Sequence, residues 1–211
     1  MNPVILVGAG GHARVLLDAL ELSGANVIGL VDADASLTDR DVMGFLVLGN
    51  DDVLGQYPPG SVDLVNAIGS IDSMQRRKSV YEKLCRAGHV FASVIHPRAT
   101  LSRHALMAAG VQVMAGAVVQ PGASLGENTI VNTGATVDHD CRVGAHVHIA
   151  PGVTLSGNVQ VGDGTHVGAG ATVIQGVRIG AHCLIAAGAV VVDNVQDGAS
   201  VKGLPAQEFS R

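Results

Sequence analysis

One position in every six between residues 95 and 191 is Ile, Leu, Val or Met, and the register never slips. The series runs Ile95, Leu101, Met107, Val113, Val119, Leu125, Val131, Val137, Val143, Ile149, Leu155, Val161, Val167, Val173, Ile179, Ile185, Val191, which is seventeen hexads without insertion or deletion. The residue four places after each aliphatic is also small or β-branched, so two side chains in six face inwards, which suits a short strand followed by a corner. The residue three places after it is Gly in nine hexads; elsewhere it is Asn128, Asn158, Asn194, Asp140, His104, His146, His182 or Arg98. Gly, Asn, Asp and His are the residues enriched at positive φ. Each hexad is therefore expected to turn a left-handed corner, and three corners close a triangular coil of 18 residues.

This pattern resembles the left-handed β-helix of the hexapeptide-repeat acyltransferases, with the loose signature [LIV]-[GAED]-x-x-[STAV]-x. Stacked coils lie about 4.8 Å apart and shield one another, so the two ends need caps. The preceding domain is expected to cap one end and residues 195–211 the other.

Residues 1 to about 90 have a different grammar. Apolar runs at Val4–Val7, Val27–Val31 and 62–68 alternate with helix-period segments at 13–22 and 72–87, which end at Ser23-Gly24 and Gly88. Strand-helix alternation implies a small parallel sheet of Rossmann-like type. The expected fold class is thus an α/β Rossmann-like domain (1–92), an all-β left-handed parallel β-helix (93–196) and a C-terminal cap (197–211).

Composition excludes several functions. The net charge is −5 with no basic run, against nucleic-acid binding, where clustered Lys and Arg displace counterions. No apolar stretch is long enough to span a membrane, and the opening residues lack a basic leader, so the chain reads as soluble and cytoplasmic. Three cysteines without CxxC spacing argue against a disulfide framework or a zinc knuckle. Cys141 and Cys183 fall in the inward slot and are not expected to be nucleophiles.

The repeat sorts the nine histidines. His104, His146 and His182 occupy the corner slot and are read as solvated corner residues, while His89 and His96 lie at the domain junction and receive no role. His139 is different. It sits in Val137-Asp-His-Asp-Cys, one place before a corner, where the equivalent slot is mostly Ala, Pro, Gly or Thr. A carboxylate that accepts the Nδ1 proton orients an imidazole and raises its basicity, which suits a general base, with Asp140 as its support. Asp140 also fills the corner slot, which explains it equally well. His148 and His166, 18 residues apart, stack on successive coils as a metal pair, a ligand contact or a surface ladder. A zinc site wants three or four converging ligands, and no metal is expected. His139 and His148 lie nine residues apart, half a coil, and therefore on opposite sides of one prism. Only packing between subunits brings two such residues to one cleft, which predicts a homo-oligomer.

At the front, Val4-Ile-Leu-Val-Gly8-Ala-Gly10-Gly11-His12-Ala13 sets a glycine turn between strand and helix, a relaxed G-x-G-x-x-G/A with Asp32 ending the next strand. Glycines admit a ligand close to the backbone, and the helix N-terminus favours negative charge. Alone, this suggests NAD; His12 after the double glycine discriminates. Gly-Gly-His-Ala ahead of a hexapeptide β-helix resembles the bacterial sugar O-/N-acetyltransferases, which include sialic acid O-acetyltransferases and N-acetyltransferases of UDP-4-amino sugars and GDP-perosamine. The resemblance spans essentially the whole chain. It implies that Gly10, Gly11, His12, Asp32, Gly69 and Ser70 hold the nucleotide-sugar. It makes Asp138-His139-Asp140-Cys141 the catalytic motif, and it brings His148 near the thioester. It further implies a homotrimer with acetyl-CoA in the groove between subunits, with His148, Ala169, Ala187 and Lys202 on the cofactor side. Two departures stand out: Ser70 replaces a common Asn, and Gln207 ends Gly-Leu-Pro-Ala-Gln where relatives carry a cation.

The expected function is acetyl-CoA-dependent N-acetylation of a nucleotide-linked (UDP, GDP or TDP) 4-amino-deoxy sugar for bacterial glycan biosynthesis. O-acetylation of sialic acid or a related sugar, and a non-catalytic nucleotide-sugar-binding scaffold, are the alternatives.

Overall fold

The computed structural model of the chain describes residues 2–70 and 74–208. The N-terminal region runs β1 (Val4–Val7), α1 (Gly11–Leu22), β2 (Val27–Val31), the hairpin β3 (Asp41–Val42) and β4 (Phe45–Leu46), β5 (Asp63–Asn66) and α2 (Gln75–Arg86). β1 pairs in parallel with β2 on one side and β5 on the other. All four residues of β1 are buried, as expected of a central parallel strand covered on both faces. α1 buries Ala13, Leu16, Leu17, Ala19 and Leu20, one helical stripe, and stops at Ser23, whose N–H bonds the Ala19 carbonyl at 3.1 Å. α2 buries Arg77, Tyr81 and Leu84. It begins at Gln75, and Asp72, where the sequence pattern starts it, lies outside the described residues.

From residue 94 onwards, two-residue strands recur every six residues and pair in parallel with the strand 18 residues on. They form the three faces of a left-handed β-helix. One face carries Gln112, Ile130, His148, His166 and Leu184 outwards, in successive register. A second carries Thr100, Val118, Thr136, Thr154, Thr172 and Val190. The third carries Leu106, Ser124, Arg142, Gln160 and Arg178. Inside, the aliphatic ladder from Val113 to Val191 and the small residues between form one continuous core that includes Cys141 and Cys183.

Fourteen of the seventeen expected corners have positive φ, Asn128, Asp140, His146, Asn158 and His182 among them. Arg98, His104 and Asn194 do not, and the reason is the stacking itself. A later corner donates its N–H to a carbonyl of the coil before, as Gly134 does to Ala115 and Asn158 to His139, both at 2.9 Å. Arg98 and His104 have no earlier coil beneath them. Their N–H groups turn instead to side chains two residues back, His96 Nδ1 at 2.9 Å and Ser102 Oγ at 3.1 Å. At Asn194 the last coil is short: Val195 bridges Ile179 sixteen residues earlier, not eighteen. The Asn194 side chain accepts the Arg178 N–H at 2.8 Å.

The N-terminal domain does not cap the end of the prism as expected; it lies along the Gln112 face. Its core shares Val94 and Met114 with the first coils, and its polar contacts reach as far as His166. The end of the prism stays half open, with Ile95 38% exposed although it stands in the aliphatic slot. The side face wins because its outward residues, Gln112, Ile130, His148 and His166, are all buried by the contact. At the other end, Ser200–Lys202 adds a strand to the same face and pairs with Gln207–Glu208.

Candidate active site

The 138–140 segment turns from the Thr136 face to the Arg142 face. Asp140 takes the corner at φ 60, and Asp138 Oδ1 accepts the His139 N–H at 2.7 Å. His139 Nδ1 meets Asp140 Oδ2 at 2.9 Å. The carboxylate is an acceptor, so Nδ1 carries the proton and Nε2 is left as a lone pair. The bond to Asp140 raises the imidazole pKa most, desolvation opposes it, and the charges of Asp138 and then Asp140 add to the rise. Asp140 thus both turns the corner and holds the His139 ring by a hydrogen bond.

The dyad is packed between glycines. Gly157, directly beneath His139 on the next coil, lies against the ring so closely that a Cβ there would overlap the imidazole. Gly122, on the coil before, stands in the same relation to Asp140 Oδ1. Otherwise the pair is open, its side chains 53% and 68% exposed.

The glycine loop faces the opposite side of the prism. Gly10 N-caps α1 without a side-chain cap, and a Cβ at Gly10 or Gly11 would meet nothing within 4 Å, so the helix N-terminus is bare. Asp32 turns back onto the loop, accepting from Ala9 N–H at 2.7 Å and from Asp34 N–H at 3.0 Å. It helps line a small cleft of about 60 Å³ with Gly8, Asp51, Ile68 and Arg76. Gly69 packs near His12, and Ser70 reaches the β-helix.

His12 and His148 belong to a polar seam between the domains. His12 Nε2 meets Gln112 Oε1 at 2.8 Å, and Gln112 Nε2 donates to the Asn66 carbonyl at 2.7 Å. Arg77, fully buried, donates to the Asn66 carbonyl at 2.6 Å and to that of Ile68 at 2.8 Å. Its Nη2 has no partner among the described residues. Desolvation lowers the guanidinium pKa to about 9. Burial, and then the charge of Arg77, lower His12 to about 4, against the raising effect of the Gln112 bond. His148 falls to about 3 through burial, then the neighbouring His166, His12 and Arg77. Its Nδ1 meets Ser70 Oγ at 2.6 Å and its Nε2 meets Asn132 Nδ2 at 3.1 Å. Both ring nitrogens are therefore engaged in this arrangement, and no free N–H of His148 points at an incoming oxyanion. The His148 and His166 rings meet edge to face, centroids 4.9 Å apart.

His146 corrects a sequence expectation. It keeps the corner φ of 55 but is buried, with Nδ1 3.0 Å from Asn128 Nδ2 and an edge contact to Tyr81 of α2. α2 covers that edge of the prism, and the repeat contains no sign of it. From sequence Asn128 is only a corner residue, and Gln112, Asn66, Arg77 and Asn132 carry no role. Taking every eighteenth residue from Gln112 would have exposed a face without charge, fit only for burial.

The remaining cofactor-side residues follow one edge. Between the Gln112 and Thr136 faces the corners are Gly116, Gly134, Gly152, Gly170 and Gly188, all at positive φ. Ala169 and Ala187 stand exposed beside the last two, and the exposed Lys202 lies beyond them on the strand Ser200–Lys202. Within one chain this edge and His139 are not brought together. A groove of about 350 Å³ on the third face, lined by Arg142, Gln160, Arg178 and Asp197, contains none of the residues singled out from sequence.

Residues 3–84 match the family model described as the PglD N-terminal domain. The segments 122–157, 140–175 and 158–193 match the bacterial transferase hexapeptide model. No curated protein matches the chain. Among solved structures, the acetyltransferase domain of PglB from Neisseria gonorrhoeae, in complex with acetyl coenzyme A, is 38% identical with a TM-score of 0.91. The match covers 99% of this chain and 100% of that one. The perosamine N-acetyltransferase of Caulobacter crescentus, in complex with CoA and GDP-perosamine, is 37% identical with a TM-score of 0.92, covering 100% of this chain and 98% of that one. WeeI from Acinetobacter baumannii, at 22% identity and a TM-score of 0.87, shares the fold. Matched from end to end at this identity, the chain belongs to the hexapeptide-repeat sugar acetyltransferase family.

Proposed function

We propose that this protein transfers the acetyl group of acetyl-CoA to the amine of a nucleotide-linked 4-amino-deoxy sugar, for bacterial glycan biosynthesis in the cytoplasm. Two relatives support the reading, one complexed with acetyl coenzyme A and one with CoA and GDP-perosamine. The observation that carries the chemistry is the His139–Asp140 pair, with Nδ1 held at 2.9 Å and Nε2 left unprotonated as the base. The sugar nitrogen attacks the thioester carbonyl and gives its proton to His139 Nε2. A C–N bond forms, the C–S bond breaks, and the CoA sulfur leaves with the proton returned by the imidazolium. Asp140 holds the ring and stabilises its charged form. With both nitrogens of His148 engaged, and with the N–H groups of the corner glycines bonded to the coil before, the oxyanion is assigned to the backbone N–H of Ala169 or Ala187 on the same edge.

The nucleotide-sugar sits at Gly10, Gly11 and His12 with Asp32, Gly69 and Ser70, and the CoA lies along the edge of Ala169, Ala187 and Lys202, beside His148. Because His139 lies across the prism from these groups, each active site is built by two subunits of a homotrimer. The test is acetyl-CoA turnover with UDP- and GDP-linked 4-amino sugars, using His139→Ala as control. Turnover that survives His139→Ala overturns the mechanism. Acetylation of free sialic acid without any nucleotide binding would favour the O-acetyltransferase alternative.

A further inference from the structure

Gln112 is fully buried, and its two ends are held by atoms of the other domain. The Asn66 carbonyl oxygen can only accept, and Arg77 Nη1 already donates to it at 2.6 Å. The end of Gln112 that faces this oxygen at 2.7 Å must therefore be the amide nitrogen. Its Oε1 then faces His12 Nε2 at 2.8 Å and can only accept, so Nε2 carries the His12 proton. Burial keeps the ring neutral. In a neutral imidazole protonated at Nε2, Nδ1 is a bare lone pair. No hydrogen bond occupies that atom among the described residues, and the ring stands in the first turn of α1, next to the open Gly10–Gly11 loop.

We propose that Gln112 is a positioning residue for the substrate. From the β-helix it sets the tautomer of His12, so that Nδ1 accepts an O–H or N–H of the hexose carried by the nucleotide. The proposal rests on the functional reading above and adds the direction of one hydrogen bond. The hexose is the partner because of where the ring lies. The cleft of Gly8, Asp32 and Arg76 is bordered by the ends of β1 and β2, whereas His12 is on the β-helix side of the loop, towards which the reacting end of the substrate must run. A group that can only accept, such as a phosphate oxygen, would set lone pair against lone pair at Nδ1 and is disfavoured there.

Long-range proton–nitrogen correlation spectra of the ligand-free protein read the tautomer directly. His12 is expected as the Nε2–H form in the wild type and as a mixture in Gln112→Met. Two substitutions separate the ring atoms. His12→Gln keeps a donor near Nε2 but removes the acceptor; His12→Asn keeps an acceptor near Nδ1. His12→Gln should raise KM for the nucleotide-linked amino sugar by about three- to tenfold, the worth of one neutral hydrogen bond, with the loss in KM more than in kcat. His12→Asn should recover most of that loss, and the affinity for UDP or GDP alone should not follow it. An Nδ1–H tautomer in the wild type overturns the proposal, as does equal loss in both His12 variants or a loss shared by the bare nucleotide. If the wild type acetylates no nucleotide-linked amino sugar, the functional reading fails, while the tautomer is still decided on the ligand-free protein.

Discussion

His139 draws its base strength from the carboxylate next to it in the chain. Its raised pKa places the midpoint of kcat/KM above the ordinary histidine value of 6.5, with activity rising with pH as Nε2 loses its proton. Asp140→Asn removes the main cause of the shift, so the midpoint should fall towards 6.5 and the plateau drop; a pH-rate profile that does not move would refute the pairing. A second residue-scale expectation concerns Gly157. A methyl group there would push the imidazole aside, and misplacement of a catalytic group by about 1 Å costs on the order of 10²-fold in rate. Gly157→Ala should therefore lower kcat by up to that factor while leaving Tm nearly unchanged; wild-type kcat would show that the ring has room to spare. His139 could be read from sequence because it breaks the pattern of its slot. Gly157 and Gly122 could not, because a glycine conforms to a repeat rich in glycine, and only the stacking of coils shows what each one makes room for.

At the scale of elements, α1 and α2 were readable from their 3.6-residue stripes, but the surface they pack against was not. They dock on the Gln112 face and bury His12 and His148 as neutral rings, with pKa values lowered to about 4 and about 3 from 6.5. The sign of the consequence follows from proton binding. Below pH 6.5 the unfolded chain protonates these histidines and the folded chain does not, so stability present above 6.5 is lost as pH falls towards 4. Calorimetry from pH 7 to pH 4 should show a loss of a few kcal/mol. His148→Gln should flatten the slope, and an unchanged slope would mean that these rings are not neutral in the fold. His146 shows the same division: the hexad places it at a corner, where its φ is 55, and α2 covers that corner through Tyr81.

Across the whole molecule, the base and the glycine loop stand on opposite sides of a prism. One chain holds two half-sites, and the proposed trimer joins each His139 to a neighbour's loop. Mixing two inactive variants is the direct check. His139→Ala has no base, and Gly8→Val strains a loop residue that sits at φ 110 with a carbonyl 3.2 Å from its Cβ position. After subunit exchange, about a quarter of the sites should combine an intact base with an intact loop and regain activity. No recovery after verified exchange would place the whole site within one subunit. By itself, the amino-acid sequence determined the coil, its inward ladders, the misfit of His139 and the half-coil separation from His148. These depend on a local period of six, and a period survives in the linear order of residues. The tertiary structure alone decided which face the N-terminal domain covers, which corner histidine is buried, and which atom of His12 carries its proton. Those outcomes arise between residues about 50 to 100 positions apart, where burial and the pairing of donors with acceptors choose among surfaces that the repeat leaves equivalent.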